Sequence, residues 1–331
     1  MRSQNVRPVV SFIVAAHNVE RYVTTAIRSA LAQTVPEIEV IVVDDGSRDA
    51  TAQIVEEIAR EDFRVVLVRR KTAGGPAVAR NLAMHHARGE WLAVLDSDDS
   101  IEAERTQRLL ALARCTSSDL VADNLLRFED GTERILSCFL PIGPAPFAVN
   151  VDAIEYLDTN IMFGTRPPLG YLKPMIAADF LSRRGLRYDE NLRVGEDFQL
   201  CAEALLAGAR YVVFSEPLYR YRVRADSVSR SLSIHDLDRL AVAWAGLRER
   251  VPRGSHLSEA LHRYARGLER ARTFMRLVAA TKDHKWSEAA GILRRPEMWA
   301  LVRRFGCEAI VKRADRLRKR QLPEFTTEHA Q

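Results

Sequence analysis

The first hundred residues alternate strand-like and helix-like segments, and this constrains the fold more than any other feature of the 331-residue chain. Val9–Ala16 (VVSFIVAA) is a continuous apolar run, the pattern of a strand buried on both faces. Glu20–Gln33 carries Tyr22, Ala26, Ile27, Ala30 and Leu31 at helical spacing. Ile38–Val43 reads as a second strand and Ala50–Arg60 as a helix. Arg64–Val68 is a third strand, Ala77–His86 a helix and Trp91–Leu95 a fourth strand. Strands alternating with helices of about 10–15 residues form βαβ units, which build a mainly parallel sheet with flanking helices. The expected class is α/β with a Rossmann-like sheet.

Beyond residue 115 the pattern loosens. Asp119–Phe128 and Arg134–Phe139 flank Glu129-Asp130-Gly131 as a hairpin does. Pro141–Pro146 reads as a Pro-rich loop. Turn signals at Gly164, Pro167, Pro168 and Gly170 precede a helix-like Met175–Arg183. Phe198–Ala207 reads as a helix and Tyr211–Phe214 as a short strand. From Ile234 onward, helical periodicity with many arginines dominates. The expected organisation is an α/β domain over residues 1–230 and a basic, helical C-terminal region over 231–331, with no internal repeat.

Charge sharpens that division. The net charge of +5 is the sum of −4 over residues 1–225 and +9 over 226–331, where 22 Lys/Arg face 13 Asp/Glu. A basic chain invites a nucleic-acid reading, but the acidic front two-thirds argues against one for the main domain, and the interleaved aromatics of single-strand binders are missing. With 47% hydrophobic and 28% charged residues the chain is not disordered. No apolar run approaches the ~20 residues that span a bilayer, and the N-terminus lacks a signal-peptide pattern, so a cytoplasmic location is expected. Cys115, Cys138, Cys201 and Cys307 have no CxxC spacing, and the eight histidines form no HExxH, so zinc sites and disulfide frameworks are not indicated.

In an open parallel sheet, ligands bind beyond the carboxyl ends of the strands. Strand one runs into Ala15-Ala16-His17-Asn18, strand two into Asp44-Asp45-Gly46-Ser47, and strand four into Asp96-Ser97-Asp98-Asp99. Five carboxylates on one rim repel one another and raise some of their pKa values unless a cation sits among them. Oxygen donors suit Mg2+ or Mn2+, and such an ion takes its remaining ligands from substrate phosphates. Capping of the following turn is the competing explanation for Asp44 and Asp45, whereas one cap does not explain three carboxylates at 96–99. Gly74-Gly75-Pro76 opens a helix and offers backbone N–H groups to an anion, although no P-loop Lys-Ser/Thr follows. Arg80, one turn into that helix, is placed to reach a diphosphate or a base. Glu196 and Asp197 follow Gly195 at a helix start, where a first-turn acid stabilised by the helix dipole and a catalytic carboxylate are both open.

Taken in order, Val10–Asn18 (VSFIVAAHN), Val42–Thr51 (VVDDGSRDAT), Gly74–Asn81 ending in ARN, Gly89–Asp99 (GEWLAVLDSDD), Gly195–Leu200 (GEDFQL) and Pro217–Ser229 (PLYRYRVRADSVS) resemble the family 2 inverting glycosyltransferases. The style is similar to bacterial exopolysaccharide enzymes of the succinoglycan type. The resemblance implies a GT-A fold over roughly residues 8–230 and a role for each motif. Ala15, His17, Asn18, Asp44 and Asp45 would hold the nucleoside of a nucleotide-sugar donor, with one aspartate accepting from a uracil imide. Arg80 would contact the nucleotide. Asp96 and Asp98 would form the metal-binding Asp-x-Asp for Mn2+ or Mg2+, with Asp98 the direct ligand. Asp197, beside Glu196, would be the general base, and Arg222 or Arg224 would neutralise the leaving diphosphate. The implied donor is a UDP-sugar, with glucose as the sugar. The implied acceptor is a saccharide, lipid-linked.

Two departures stand out. His17 and Arg224 occupy positions where relatives carry Tyr and His. No QxxRW follows residue 197, which argues against a processive, membrane-embedded synthase. Two other enzymes share single features. A haloacid-dehalogenase-type phosphatase shares Asp96-Ser97-Asp98 after a strand but expects Thr or Val where Ser100 stands. A nucleotidyltransferase shares the sheet but opens with a Gly-rich basic loop after strand one. Residues 301–320 hold eight basic and two acidic side chains, and Trp299, Leu301, Phe305, Ile310 and Leu317 offer an apolar face. That pattern fits either contact with the inner membrane surface or a helix packed on the protein.

Overall fold

The structure, a computed structural model, describes residues 7–143, 145–224, 232–249 and 251–305. The chain divides into two compact units, Met1–Ala265 and Arg266–Gln331. In the first unit the expected alternation is present as β1 (Val10–Ala16), α1 (Val23–Leu31), β2 (Ile38–Asp45), α2 (Thr51–Glu61), β3 (Val65–Arg70), α3 (Pro76–His86) and β4 (Trp91–Val94). There follow β5 (Ser100–Ile101), α4 (Arg105–Thr116), β6 (Leu120–Glu129), β7 (Ile135–Cys138), β8 (Ala148–Val151), α5 (Ala153–Thr159), β9 (Met175–Ala177), α6 (Ala178–Arg184), α7 (Glu196–Leu206) and β10 (Tyr211–Val223). The sheet order is β3-β2-β1-β4-β9-β6-β10-β5, with β7 on β6 and β8 on β10. The long ladders β1–β2, β2–β3, β1–β4 and β6–β10 are parallel, and the antiparallel pairings are short. This is the GT-A form of a mainly parallel α/β sheet.

Register aligns the strand ends. Ala16 sits opposite Asp44 and Ile13 opposite Val94, so the segments after β1, β2 and β4 leave the sheet along one edge. All eight residues of β2 are buried. Glu39, near the start of that strand, accepts Ser11 Oγ at 2.7 Å and the Arg88 guanidinium, as a buried charge requires.

The sequence pattern misplaces two segments. Met175–Ala177 forms β9, antiparallel to both β4 and β6, and the helix begins only at Ala178. Pro174 disfavours helix in the residue before it, and Met-Ile-Ala fills the gap between two ladders. Tyr211–Phe214 is only the start of β10, which runs on to Val223. Pro217 sits at a register shift, where a missing N–H is tolerated. α4, buried through Leu109, Leu110 and Ala113, lies in a stretch the sequence pattern left unassigned.

Helices α8 (Ile234–Glu249), α9 (His256–Lys282) and α10 (Trp286–Leu293) follow. Within the first unit, Phe198 stacks on Tyr156 at 5.4 Å and on Trp244 of α8 at 5.0 Å, and meets Tyr264 of α9 at 5.1 Å. These aromatic contacts pin the first turn of α7, immediately after Asp197. In the second unit, Phe305 meets Phe274 at 5.3 Å, Leu301 is buried and Trp299 is exposed. Ala225–Ser229, Cys307, Ile310, Leu317 and the basic run beyond residue 305 lie outside the described residues. Among the described residues, no helix is long and apolar enough to cross a membrane.

Candidate active site

The end of β1 meets the turn after β2. His17 Nδ1 donates to the Asp45 carbonyl at 2.9 Å, because a carbonyl only accepts, leaving Nε2 to accept from Asn18 Nδ2 at 3.0 Å. Asn18 Oδ1 takes the Arg48 N–H, and Ser47 Oγ takes the Asn18 N–H. Gly46 has φ +69, and a Cβ there would stand 2.9 Å from the Ala73 nitrogen, so this turn admits only glycine. Ala15 is half-buried beside it.

Asp45 accepts the backbone N–H groups of Gly74 (2.9 Å) and Gly75 (2.7 Å) and lies 3.4 Å from Arg70. The glycine turn that the sequence offers to a substrate anion therefore holds the chain's own carboxylate. Asp44 is buried and accepts the Ser47 N–H at 3.4 Å.

Around the end of β4 the partners are side chains. Arg80, only 5% exposed, reaches Asp96 Oδ1 at 2.7 Å, Glu196 Oε1 at 2.6 Å and Asp197 Oδ1 at 3.1 Å. Its guanidinium lies over the Tyr188 ring, and Asn81 clamps the Tyr188 backbone through two 2.9 Å hydrogen bonds. Lys173 Nζ lies 2.8 Å from Asp96 Oδ2 and 3.0 Å from Asp197 Oδ2. Burial opposes the charge on Arg80 and on Lys173. The surrounding carboxylates, Asp197 and Asp96 foremost, outweigh it and raise both pKa values well above the ordinary range. For Asp96 burial works upward, yet Lys173 and Arg80 bring it down to about 2. Burial and the neighbouring Asp197 raise Glu196.

Asp98 and Asp99 are treated differently. Burial and then Asp96 raise Asp98, although Arg224 Nη1 donates to its Oδ2 at 3.0 Å. Burial, then Asp98 and Asp96, push Asp99 well above the usual carboxylate range. It accepts Tyr219 Oη at 2.9 Å and the Arg222 N–H at 2.7 Å, which makes it a brace for β10. Arg222 Nε donates to the Asp98 carbonyl, and the Arg222 and Arg224 guanidiniums both lie over Tyr22, at 5.1 and 4.7 Å.

Among the described residues, no three His, Cys, Asp or Glu side chains converge as a closed metal set. The donor chemistry nevertheless fits a hard divalent cation. Asp98, with 27% of its side chain exposed, carries repulsion from Asp96 that Arg224 does not relieve. A carboxylate pair completed by phosphate oxygens is the usual magnesium-type arrangement. Cys201, pushed up to about 12 by burial and by Asp197, is no nucleophile.

The structure thus brings Arg80, Asp96, Glu196 and Asp197 into one cluster, sets Asp98, Arg222 and Arg224 beside it, and places Ala15, His17, Asn18, Asp44 and Asp45 along the β1–β2 edge. Lys173 is the member that the sequence does not disclose. The antiparallel register Ala93–Met175 puts Lys173 beside the residues leaving β4, but only once β9 is known to be a strand.

Comparison with known proteins fits this arrangement. The family model for glycosyl transferase family 2 matches residues 11–159. The succinoglycan biosynthesis protein ExoO of Rhizobium meliloti is 36% identical over 283 residues, 85% of this chain and 80% of that protein. ExoU of the same organism is also 36% identical, over 70% of this chain and 67% of its own length. Staphylococcus aureus TarS 1–349, solved with UDP-GlcNAc, aligns with a TM-score of 0.59 at 21% identity over 86% of this chain and 90% of that one. The mannosyltransferase PcManGT of Pyrobaculum calidifontis, solved with GDP-Man and Mn2+, gives 0.57 at 17% over 93% and 87%. The chain belongs to glycosyltransferase family 2, and it is a glycosyltransferase. Neither the phosphatase nor the nucleotidyltransferase alternative is favoured.

Proposed function

We propose that the protein is an inverting hexosyltransferase that moves glucose from UDP-glucose to a lipid-linked saccharide during exopolysaccharide synthesis. The observation that carries the mechanism is the cluster in which Asp197 lies one cation away from Asp96, so a base and a diphosphate-side carboxylate share Arg80 and Lys173. Asp197 takes the proton of the acceptor hydroxyl as that oxygen attacks the anomeric carbon. The nucleoside diphosphate departs from the opposite face, which inverts the configuration. Ala15, His17, Asn18 and the Asp44/Asp45 pair hold the nucleoside, with one aspartate accepting from the uracil imide, and Arg80 stands on the nucleotide side. Arg222 and Arg224, beside Asp98, face the charge that develops on the leaving diphosphate. A divalent cation, Mn2+ or Mg2+, held by Asp98 with Asp96 would supply further neutralisation of that charge.

The names of the succinoglycan relatives support the pathway, and the nucleotide sugars named with TarS and PcManGT support the donor class. A lipid-linked acceptor is supported by the segment from Ile135 to Val151. It contains no charged residue, and it exposes Ile135, Leu136, Ile142, Phe147 and Val149. An apolar surface of this kind marks an interaction site. The basic region beyond residue 225 would add attraction to an anionic inner-membrane surface, with the enzyme cytoplasmic and peripheral. Residues 1–230 would form the catalytic domain and 231–331 the basic helical region.

The test is turnover of a panel of nucleotide sugars with Mn2+ and a competent acceptor. Asp197→Asn is expected to retain nucleotide binding by calorimetry while transfer falls ~10²–10⁴-fold, the usual worth of a positioned base. Full transfer by this variant would sink the reading.

A further inference from the structure

Asp197 has a buried cation at each of its two oxygens. Its Oδ2 receives Lys173 Nζ at 3.0 Å, and its Oδ1 is buried with Arg80 Nη1 3.1 Å away as an ion pair. Lys173 is itself anchored at both ends. Its ammonium also holds Asp96 Oδ2 at 2.8 Å, and its carbonyl accepts Arg105 Nη2 at 2.5 Å. Arg105 is fully buried and fixed by Asp123 at 2.9 Å. A lysine only 8% exposed keeps its charge and its rotamer here, because both carboxylates and the backbone hold it.

We propose that Lys173 is a positioning residue for the sugar-transfer step: it holds Asp197 Oδ2 and so fixes the orientation of the carboxylate that meets the incoming hydroxyl. Through the same ammonium it fixes Asp197 against Asp96, and so sets the spacing between the base and the diphosphate side. The hydroxyl proton passes to the Asp197 carboxylate while the new C–O bond forms and the bond to the diphosphate breaks, and Lys173 exchanges no proton. The proposal rests on the reading of Asp197 as the base.

A merely structural lysine supplies only buried positive charge, which Lys173→Arg retains. A planar fork, however, does not reproduce the geometry of an ammonium between two carboxylates. The experiment uses the full chain with Mn2+ and water as acceptor, and the donor is whichever of UDP-glucose, UDP-galactose, UDP-GlcNAc and GDP-mannose the wild type hydrolyses fastest. Lys173→Arg is expected to fold with an unchanged melting profile and a donor KM within about twofold, while kcat falls ~10-fold or more, because an ångström of misplacement costs on that order or beyond. Lys173→Ala is expected to fall further and to be partly restored by ethylamine or propylamine, whose ammonium refills the site. Wild-type kcat in Lys173→Arg would overturn the proposal, as would donor KM rising in step with the loss of kcat. Asp197→Asn, run in parallel, separates the two claims: full hydrolysis there removes the base assignment itself, whereas loss there with wild-type turnover in Lys173→Arg removes only the role of Lys173.

Discussion

The two acidic ends of this sheet edge hold their carboxylates by different means. After β2, Asp45 is held by the backbone N–H groups of Gly74 and Gly75, with Arg70 more distant. After β4 and at the start of α7, Asp96, Glu196 and Asp197 are held by two buried side-chain cations, Arg80 and Lys173. Side-chain replacements other than to proline leave a backbone donor in place, so the Asp45 end is fixed by the fold itself. The other end depends on two residues, and there each charge is tolerated only because of its neighbours. The first arrangement suits a surface that recognises an unchanging group. The second suits one where charge arrives and leaves during turnover.

The contrast is most exposed at Arg80. Arg80→Met removes the partner shared by three carboxylates and leaves Lys173 alone among them. Breaking a buried ion pair by deleting one partner costs about 3–5 kcal/mol, and the donor-side geometry goes with it. Urea unfolding is expected to show a loss of that size, and nucleotide-sugar hydrolysis a fall to background. A loss below about 1 kcal/mol would mean that the cluster reorganises freely, and the distinction between the two ends would collapse.

Asp45→Asn is the matching change at the backbone-held end. Its remaining carbonyl oxygen still accepts from Gly74 or Gly75, and what is lost is the charge and one acceptor. Hydrogen bonds to charged groups contribute about 1.5–3 kcal/mol, so a loss near the lower figure is expected in thermal unfolding. The donor KM should rise, with kcat changing less. A destabilisation equal to that of Arg80→Met would show that both ends depend on charge alike.

Much of this edge was legible because its signals are local. The apolar runs of β1, β2 and β4 end in His17-Asn18, Asp44-Asp45 and Asp96–Asp99, and strand-end chemistry in a parallel sheet follows from the pattern itself. Arg80 was legible as a residue near the site, but its partner Glu196 is 116 positions away, and pairing at that range leaves no periodic trace. Lys173 was hidden for a related reason. Met-Ile-Ala is too short to distinguish strand from helix, and only insertion between β4 and β6 decides it. The same holds for the short strand expected at Tyr211–Phe214, which continues past Pro217 only because the irregular register against β6 accommodates it.

Asp236, away from both ends, combines the two modes of holding. It closes a capping box at the start of α8: Ser233 N and Oγ donate to its Oδ2 at 2.8 and 2.6 Å, and its own N–H donates to Ser233 Oγ at 3.2 Å. Arg193 adds a fork at 3.0 and 2.5 Å. Burial pushes this carboxyl up, but Arg193 and Ser233 outweigh it and hold it at about 2. A group depressed in the folded state contributes stability above its unfolded value near 3.8, and that contribution is lost as pH falls toward about 2. A shift of this size corresponds to roughly 2 kcal/mol at most. Solvent screening of Arg193, which is 42% exposed at the side chain, brings the expected loss in Asp236→Asn to about 1 kcal/mol at neutral pH. Between pH 4 and 2 the wild type should lose stability more steeply than the variant, so the two unfolding curves converge in acid. Parallel curves across that range would mean that the Asp236 carboxyl titrates alike in the folded and unfolded chain, so that neither Arg193 nor Ser233 holds its charge.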